Sequence, residues 1–520
     1  MPETTPLIKA ALNLRVGAGF DVYDILGRRS RIYNNDGLEV RYGYDALNRI
    51  RRIHYGNGME TAYTYDGDGN VRTLETRAGG NVLLSFAYQY DGNGNRTAKT
   101  GTQAALGGIT SEITAGNNAL DLSYNYDVRG QLLEERRNGA SVCYAYDKAG
   151  NRIRKTDAQG EIRYLYNEKN QLIAEESPVD RKQFSYDRQG GIIEEKNSAG
   201  IRLFSYNSRH QQTRVETETG SVQENRYDAE GLRFELLENG RRTSFVYHNG
   251  ELLQEEGREE QKTSYHLGAG IEAFRRGQEL SYYHRDEQLS TALVTDGHRN
   301  VQNSYQYDAF GMSLGTTEKL NNRIRYTGQQ YDDVTGQYYL RARYYNPVAG
   351  RFMQEDVYQG DGLNLYAYCG NNPVVYDDPS GYKRKACPPQ GKISESVDES
   401  GSYSGTGEYG DVGGHHVHAK AGFKDDVNYD PKKGFSISQN FMRDNGLDHN
   451  IMTSKQRELF KELYESGRPN TLEEHTRIAR EALKAGGASD SMIDDLINAS
   501  LRNLREQGVT APTRIPWYSK

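Results

Sequence analysis

The sequence predicts a mainly β protein in two parts: a long sheet built of repeated hairpins, then a small α+β C-terminal domain. Three observations predict it. A tyrosine followed by an acidic or amide residue recurs at Tyr44-Asp45, Tyr65-Asp66, Tyr90-Asp91, Tyr126-Asp127, Tyr146-Asp147, Tyr166-Asn167, Tyr186-Asp187, Tyr206-Asn207, Tyr227-Asp228 and, with histidine, Tyr247-His248. From Tyr126 to Tyr247 the spacing is 20 or 21 residues throughout, a period that signals stacked β units, each too small to bury an apolar face alone. The beat then stops: 35 of the 40 tyrosines precede Lys383, whereas five of the 11 histidines follow it.

Each repeat has the same parts. Residues 144–163 read YAYDKAGNRIRKTDAQGEIR and residues 164–183 read YLYNEKNQLIAEESPVDRKQ. An aromatic-x-Tyr strand opens the unit and places both rings on one face. A polar turn follows, then an alternating strand such as Asn151-Arg152-Ile153-Arg154-Lys155, then a second turn. Tyrosine suits a large curved sheet with two wet faces, because its ring packs while its hydroxyl finds a partner. These tyrosines are expected to build and not to catalyse.

The Tyr-Asp beats resemble the YD repeats of the RHS family. Residues 282–311 (YYHRDEQLSTALVTDGHRNVQNSYQYDAFG), 325–356 (RYTGQQYDDVTGQYYLRARYYNPVAGRFMQED) and 364–382 (NLYAYCGNNPVVYDDPSGY) resemble that family's closing core. The resemblance implies a YD-repeat β shell or spiral around a hollow interior that encapsulates a variable toxin domain, which begins just after an Asp-Pro-x-Gly motif. The divisions expected are 1–310 for the repeat shell, 311–382 for the RHS-associated core, 383–409 for a Lys/Ser/Gly/Glu-rich linker and 410–520 for the toxin domain.

Bulk properties agree with a solvated β shell. Mean hydropathy is −0.88, with 35% apolar and 10% aromatic residues, and the strict period argues against disorder. A net charge of −7 excludes a broadly basic nucleic-acid binder. Residues 383–520 hold 20 Lys/Arg against 20 Asp/Glu, so any nucleic-acid chemistry there must rest on a local site. Cys143, Cys369 and Cys387 are odd in number and form no CxxC pair, which fits synthesis in a reducing compartment. Neither a secretory signal nor an apolar run of about 18 residues is present, so no membrane span is expected. The expectation is synthesis in the cytoplasm, export by dedicated machinery and action in the cytoplasm of a target cell. The chain starts inside the repeat pattern, which reads as a fragment, an orphan reading frame or one half of a two-protein shell.

Two candidate sites stand out. Asp356 and Asp378 lie 22 residues apart, with Arg343 thirteen before the first. An aspartyl protease needs two carboxylates close enough to share a proton, so that one takes a proton from water while the other polarises the carbonyl. By spacing alone these residues read equally well as turn aspartates. The resemblance implies that they and Arg343 cleave the chain after the Asp-Pro-x-Gly motif, between Tyr382 and Lys383. Tyr382 stands where the family usually has leucine, and Asp356 lacks the usual following proline, which bears on efficiency. Asp377 is a substitute one place off the motif.

The second site opens the tail at Gly413-Gly414-His415-His416-Val417-His418. Three helices are expected behind it, capped by Thr453 with Gln456, Asn470 with Glu473 and Ser491 with Asp494. Adjacent histidines on a strand point to opposite sides. The Gly-His-His start resembles the HNH/endonuclease VII superfamily. That resemblance implies a divalent metal ion (Mg²⁺ or Zn²⁺, which imidazole ligands do not distinguish) held by His415, with His416 as general base. His475 and His449 are the candidates for a further ligand: His475 lies on an apolar helical stripe and reads equally as a core histidine, and His449 lies in an interhelical loop. His418 shares a face with His416.

The leading function is an RHS-family polymorphic toxin carrying a metal-dependent endonuclease, released by self-cleavage and used against competing bacteria or host cells. Its expected partners are a nucleic-acid substrate (DNA favoured, RNA the alternative), a cognate immunity protein, and delivery machinery or a second shell-forming protein. One alternative is an RHS shell carrying a non-nuclease toxin, or a metal-independent ribonuclease using His416 and His475 as an acid–base pair. Another is a non-enzymatic surface or carbohydrate-binding protein.

Overall fold

The Tyr-Asp pair closes one strand and opens the next turn, and both side chains are used. The computed structural model describes residues 20–104, 119–257, 262–386 and 406–518, apart from positions 25, 27, 359–361, 363, 489 and 510. In it, Asp147 Oδ1 accepts the backbone N–H groups of Ala149 at 2.9 Å and Asn151 at 2.8 Å. Asn167 takes those of Lys169 and Gln171, and Asp187 those of Gln189 and Gly191. The side chain thus imitates a backbone turn. The tyrosine reaches back one repeat. Tyr146 donates its hydroxyl to Leu132 O at 2.9 Å, Tyr166 to Arg152 O at 2.9 Å, Tyr186 to Leu172 O at 3.1 Å and Tyr206 to Ile192 O at 2.9 Å. One residue of the motif therefore shapes a turn and the other stitches neighbouring repeats.

Between Phe20–Tyr23 and Ser313–Glu318 the strands form one 28-stranded sheet. Each strand pairs antiparallel with the next, as in Ala140–Tyr146 with Arg152–Asp157 and that strand with Gly160–Tyr166. A register shift falls directly ahead of the motif tyrosine at Ala145/Tyr146, Leu165/Tyr166 and Ser185/Tyr186. Such bulges increase local twist, which a sheet of this length needs in order to curve.

The curvature brings distant strands together. Tyr42 donates to Glu272 Oε1 at 2.9 Å, Tyr55 meets the ring of His284 at 4.8 Å, and Gln103 Nε2 donates to Tyr305 O at 2.8 Å. Over the middle repeats, residues of 311–382 cover the tyrosine-bearing face instead. Tyr339, Tyr344 and Met353 pack with Ile192, Phe204 and Val215. Arg233 and Asp332, both 0% exposed, form an ion pair across this junction, and the Arg233 guanidinium lies 4.4 Å from the Tyr339 ring centre. Among the described residues no α-helix precedes Tyr409.

Residues 394–520 form a second compact unit. Its sheet has Phe435–Ile437 in the middle, flanked by Thr406–Glu408 and His415–His416. Five helices accompany it: α1 (Tyr409–Val412), α2 (Gln439–Asp444), α3 (His449–Ser466), α4 (Leu472–Ala485) and α5 (Asp490–Glu506). Val417, Ile437, Met452, Ala479, Leu483, Ile493, Leu496 and Ile497 form its core.

Several expectations shift. The first long helix begins at His449 and not at Thr453, because Asp448 accepts the N–H groups of Asn450 and Ile451 while Gln456 is buried and donates to Val417 O. The second is capped by Thr471, which accepts from Glu474 N, one residue later than expected. The third already includes Asp490, ahead of Ser491. Thr406–Glu408 and Tyr409, the first residue of α1, occupy positions assigned to the linker, and Lys385–Ala386 pairs with Tyr376–Asp377. The rest of that linker, 387–405, lies outside the described residues, as does Cys387.

Candidate functional site

The closing core draws Arg343, Asp356 and Asp378 together. Arg343 begins the strand Arg343–Asn346, and its side chain lies against the Phe352 ring at 3.5 Å. From there Nη2 reaches Asp356 Oδ2 at 2.8 Å and Asp378 Oδ2 at 3.5 Å, and Nη1 donates to Leu365 O at 2.9 Å. Asp378 Oδ1 accepts from Gly381 N at 2.8 Å, from Ser380 Oγ and, at 3.2 Å, from Lys383 N. The last of these is the amide nitrogen of the Tyr382–Lys383 peptide bond. Burial pushes the Asp378 carboxyl up from its ordinary range, with Arg343 drawing it back down. The nitrogen of this peptide bond thus lies beside a carboxyl that burial makes easier to protonate than usual.

Gly381 is fixed by space: its φ is +73° and a Cβ there would lie 2.4 Å from Leu340 O. Tyr382, the position where this chain departs from the family pattern, is 45% exposed. Asp377 is buried, pushed up to about 7 by burial and then by the charge of Asp378, and its Oδ1 has no hydrogen-bond partner. Its backbone pairs with Lys385, whereas Asp378 holds the contact to Lys383 N.

In the second unit the two adjacent histidines diverge as strand geometry requires. Gly414 permits the entry, since φ is +83° and a Cβ would sit 1.9 Å from Ile437 O. His415 turns to the start of α3, where the His449 ring meets it edge-on at 5.1 Å. Burial drives the His415 imidazole down to about 3, and its Nε2 is buried without a partner. His416 turns to the other side. Its ring stacks on Tyr409 at 4.3 Å and its Nε2 lies 3.1 Å from Pro431 O. A carbonyl only accepts, so Nε2 carries the hydrogen and Nδ1 keeps the lone pair. Burial lowers the His416 pKa from its ordinary value, which favours the neutral ring.

His475 and His418 have partners outside this pair. His475 is 1% exposed, donates from Nε2 to Asn470 Oδ1 at 2.9 Å, and packs on Phe460 and Phe423. Its helix turns it inward between these two aromatic rings, and its Nδ1 is buried without a hydrogen-bond partner. His418 is buried against Ser500 Oγ at 2.8 Å and Thr476 Oγ1 at 3.1 Å. His449, expected in a loop, is instead the exposed first residue of α3.

His415 and His449 therefore offer two imidazoles, one with an orphaned buried nitrogen. Among the described residues no group of three or more His, Cys, Asp or Glu forms a cage. The described residues therefore do not assemble the three-protein-ligand set of catalytic zinc. Tyr409 and Pro431, which fix His416, were not found by sequence reasoning, since neither spacing nor type marks them.

Residues 104–374 match the teneurin YD-shell family and residues 44–82 the RHS repeat. The tRNA3(Ser)-specific nuclease WapA of Bacillus spizizenii is 38% identical over 176 residues, 30% of this chain and 7% of that protein. The double-stranded DNA deaminase toxin A of Burkholderia cenocepacia is 26% identical over 392 residues, 72% of this chain and 23% of that protein. A solved TcdB2-TccC3-Cdc42 structure aligns at 17% identity and a TM-score of 0.37, covering 66% of this chain and 22% of that one. This chain thus spans a small part of the length of the relatives that it matches.

Proposed function

The chain belongs to the teneurin YD-shell family, and from that premise we propose that it is a polymorphic toxin that cuts itself between Tyr382 and Lys383 and carries a metal-dependent nuclease behind the cut. The observation that carries the first half is the contact of Asp378 Oδ1 with Lys383 N at 3.2 Å. Water adds to the Tyr382 carbonyl carbon, giving up a proton to Asp356. The bond to Lys383 N then breaks as Asp378 delivers a proton to that nitrogen. The products are a Tyr382 carboxylate and a Lys383 amine, and Arg343 holds both aspartates in place throughout. Asp356→Asn and Asp378→Asn should each leave the full-length band on a denaturing gel. Continued cutting of both variants overturns the assignment.

For the nuclease, His416 is the general base, taking a proton from water at Nδ1 while Pro431 fixes its ring. His415 and His449 would hold the divalent ion, which supplies charge neutralisation at the scissile phosphate. Nucleic acid as the substrate accords with the relatives named as a tRNA nuclease and a DNA deaminase toxin. No described helix is long and apolar enough to cross a membrane, and delivery is assigned to separate machinery or a second shell-forming protein, with an immunity protein guarding the producer. The test is digestion of plasmid and RNA by the processed chain, with and without chelator. Activity that survives chelation removes the metal; intact DNA and RNA under every common divalent ion remove the nuclease.

A further inference from the structure

Three consecutive carbonyls lead up to the Tyr382–Lys383 bond, and three consecutive residues hold them. Arg341 Nη1 donates to Pro379 O, the Ala342 N–H to Ser380 O at 3.2 Å, and Arg343 Nε to Gly381 O. Arg341 differs from the other two in its second set of partners. Its Nε donates to Gly250 O and its Nη2 to Glu251 Oε1, both at 2.8 Å. Gly250 and Glu251 lie at the turn joining the strands Arg241–His248 and Glu251–Glu256 of the large sheet. One planar guanidinium therefore ties the cleavage loop to a repeat hairpin about 90 positions earlier in the chain.

Arg341 also sits where its backbone is strained. Its φ is 60°, in the two-residue turn between Gln337–Leu340 and Arg343–Asn346, with Leu340 paired to Arg343. The first position of such a turn favours glycine, and a non-glycine residue held in the left-handed region points to a job done by its side chain. Glu251 is half exposed, so its ion pair adds little. The two backbone carbonyls, taken by charge-assisted hydrogen bonds, are the stronger partners.

We propose that Arg341 is a positioning residue for self-cleavage: it fixes the Pro379 carbonyl so that the loop presents Lys383 N to Asp378, and it does so only when the 241–256 hairpin has docked. Cutting is thereby coupled to completion of the repeat sheet. This rests on the self-cleavage reading above. Proline's fixed φ makes its carbonyl an effective handle, since rotating it redirects Ser380, Gly381 and Tyr382 together.

The experiment follows loss of the full-length band after renaturing the whole chain, for wild type, Arg341→Gly, Arg341→Lys and Asp378→Asn, with a melting curve of the sheet by circular dichroism for each. Arg341→Gly relieves the backbone strain while deleting the clamp. It should cut on the order of 10–100-fold more slowly, the scale of a small misplacement of reacting groups, and still melt no lower than wild type. Arg341→Lys, a single point donor in place of a fork, should recover part of the rate. A wild-type chain that is never cut, or an Asp378→Asn chain cut at the normal rate, removes the self-cleavage reading and this inference with it. Normal cutting of Arg341→Gly removes the positioning role alone. Slow cutting accompanied by a lower melting temperature, with no recovery in Arg341→Lys, marks Arg341 as merely structural and also overturns it.

Discussion

The repeat sheet and the C-terminal unit use their polar aromatic side chains in opposite ways. In the sheet, the motif tyrosines from Tyr44 to Tyr227 donate to the carbonyl that opens a strand of the preceding repeat, as with Tyr186 and Leu172 O, and Tyr247 instead accepts from Gln330 Nε2. The group is satisfied, so it holds structure and does nothing else. In the C-terminal unit, imidazoles are buried where they are driven toward the neutral form, and His415 Nε2 has no partner at all. An unsatisfied buried polar group costs stability, and His415 Nε2 shares that state with His475 Nδ1 in the same unit and with His266 Nε2 and His284 Nδ1 in the sheet. The comparison teaches that the motif tyrosines are held by their partners, whereas the buried imidazoles are held by packing.

The largest effect expected from this contrast is loss of the base. His416→Ala in the processed chain should lower nucleic-acid cleavage by roughly 10²–10⁴-fold, because Nδ1 is the lone pair that Pro431 leaves available. Ion binding should persist, since His416 faces away from His415 and His449. His418→Ala serves as the control: a folded variant that loses as much activity would show that the imidazoles of this unit act through packing, and the contrast would fail.

Next comes the junction between the middle repeats and the closing core. Arg233 and Asp332 are both 0% exposed, and deleting one leaves the other charged and buried. Arg233→Ala should destabilise the sheet by about 3–5 kcal/mol, read as a lower denaturant midpoint. Replacing both residues by apolar side chains of similar size should cost much less. If the single and double variants match, the pair contributes through volume alone.

Acid should separate the two regions. His418 and His475 are pushed by burial to about 3 and about 4, below the ordinary histidine value of about 6.5. A folded pKa below the unfolded one gives stability that is intact above pH 6.5 and is lost as pH falls from there toward the folded values. At pH 5 each group removes about 2 kcal/mol. The sheet has comparable histidines in His266 and His284, spread through a far larger structure. The single tryptophan, Trp517, packs on Phe460 at 5.9 Å and reports the C-terminal unit alone. Its fluorescence transition should move to lower temperature between pH 7 and pH 5 before the strand signal does; coincident transitions would count against the contrast.

Much of this was legible in the sequence because it is periodic. The beat of 20 residues forced a repeated hairpin, and the Asp or Asn after each tyrosine marked its turn. What the text could not show was direction. Both Phe460 and His475 lie on inward stripes, and only packing reveals that His475 is enclosed between aromatic rings. Helix starts slipped because the side chains that accept the first N–H groups are those of Asp448 and Thr471, which the spaced pairs read as capping boxes did not single out. The cleavage residues were legible through the family's pattern, whereas the Lys383 N contact depends on a left-handed Gly381 that no spacing announces.

The smallest effect is the sharpest test of the sheet. Tyr206→Phe deletes a hydroxyl that donates to Ile192 O at 2.9 Å while keeping the ring. The side chain is only partly buried, so water can replace the lost donor, and the cost should be about 1 kcal/mol. The same change at Tyr166, whose partner is Arg152 O, should cost about as much. Their strands are separated by Leu172–Glu176, Arg181–Tyr186 and Ile192–Asn197, so the two hydroxyls stand about 19 Å apart at normal strand spacing. If each tyrosine stitches only its neighbour, as stacked repeats require, the double variant should equal the sum within about 0.3–0.5 kcal/mol. A clear excess would mean that the hydroxyls support one another along the sheet, and that the building residues, like the acting ones, work as a group.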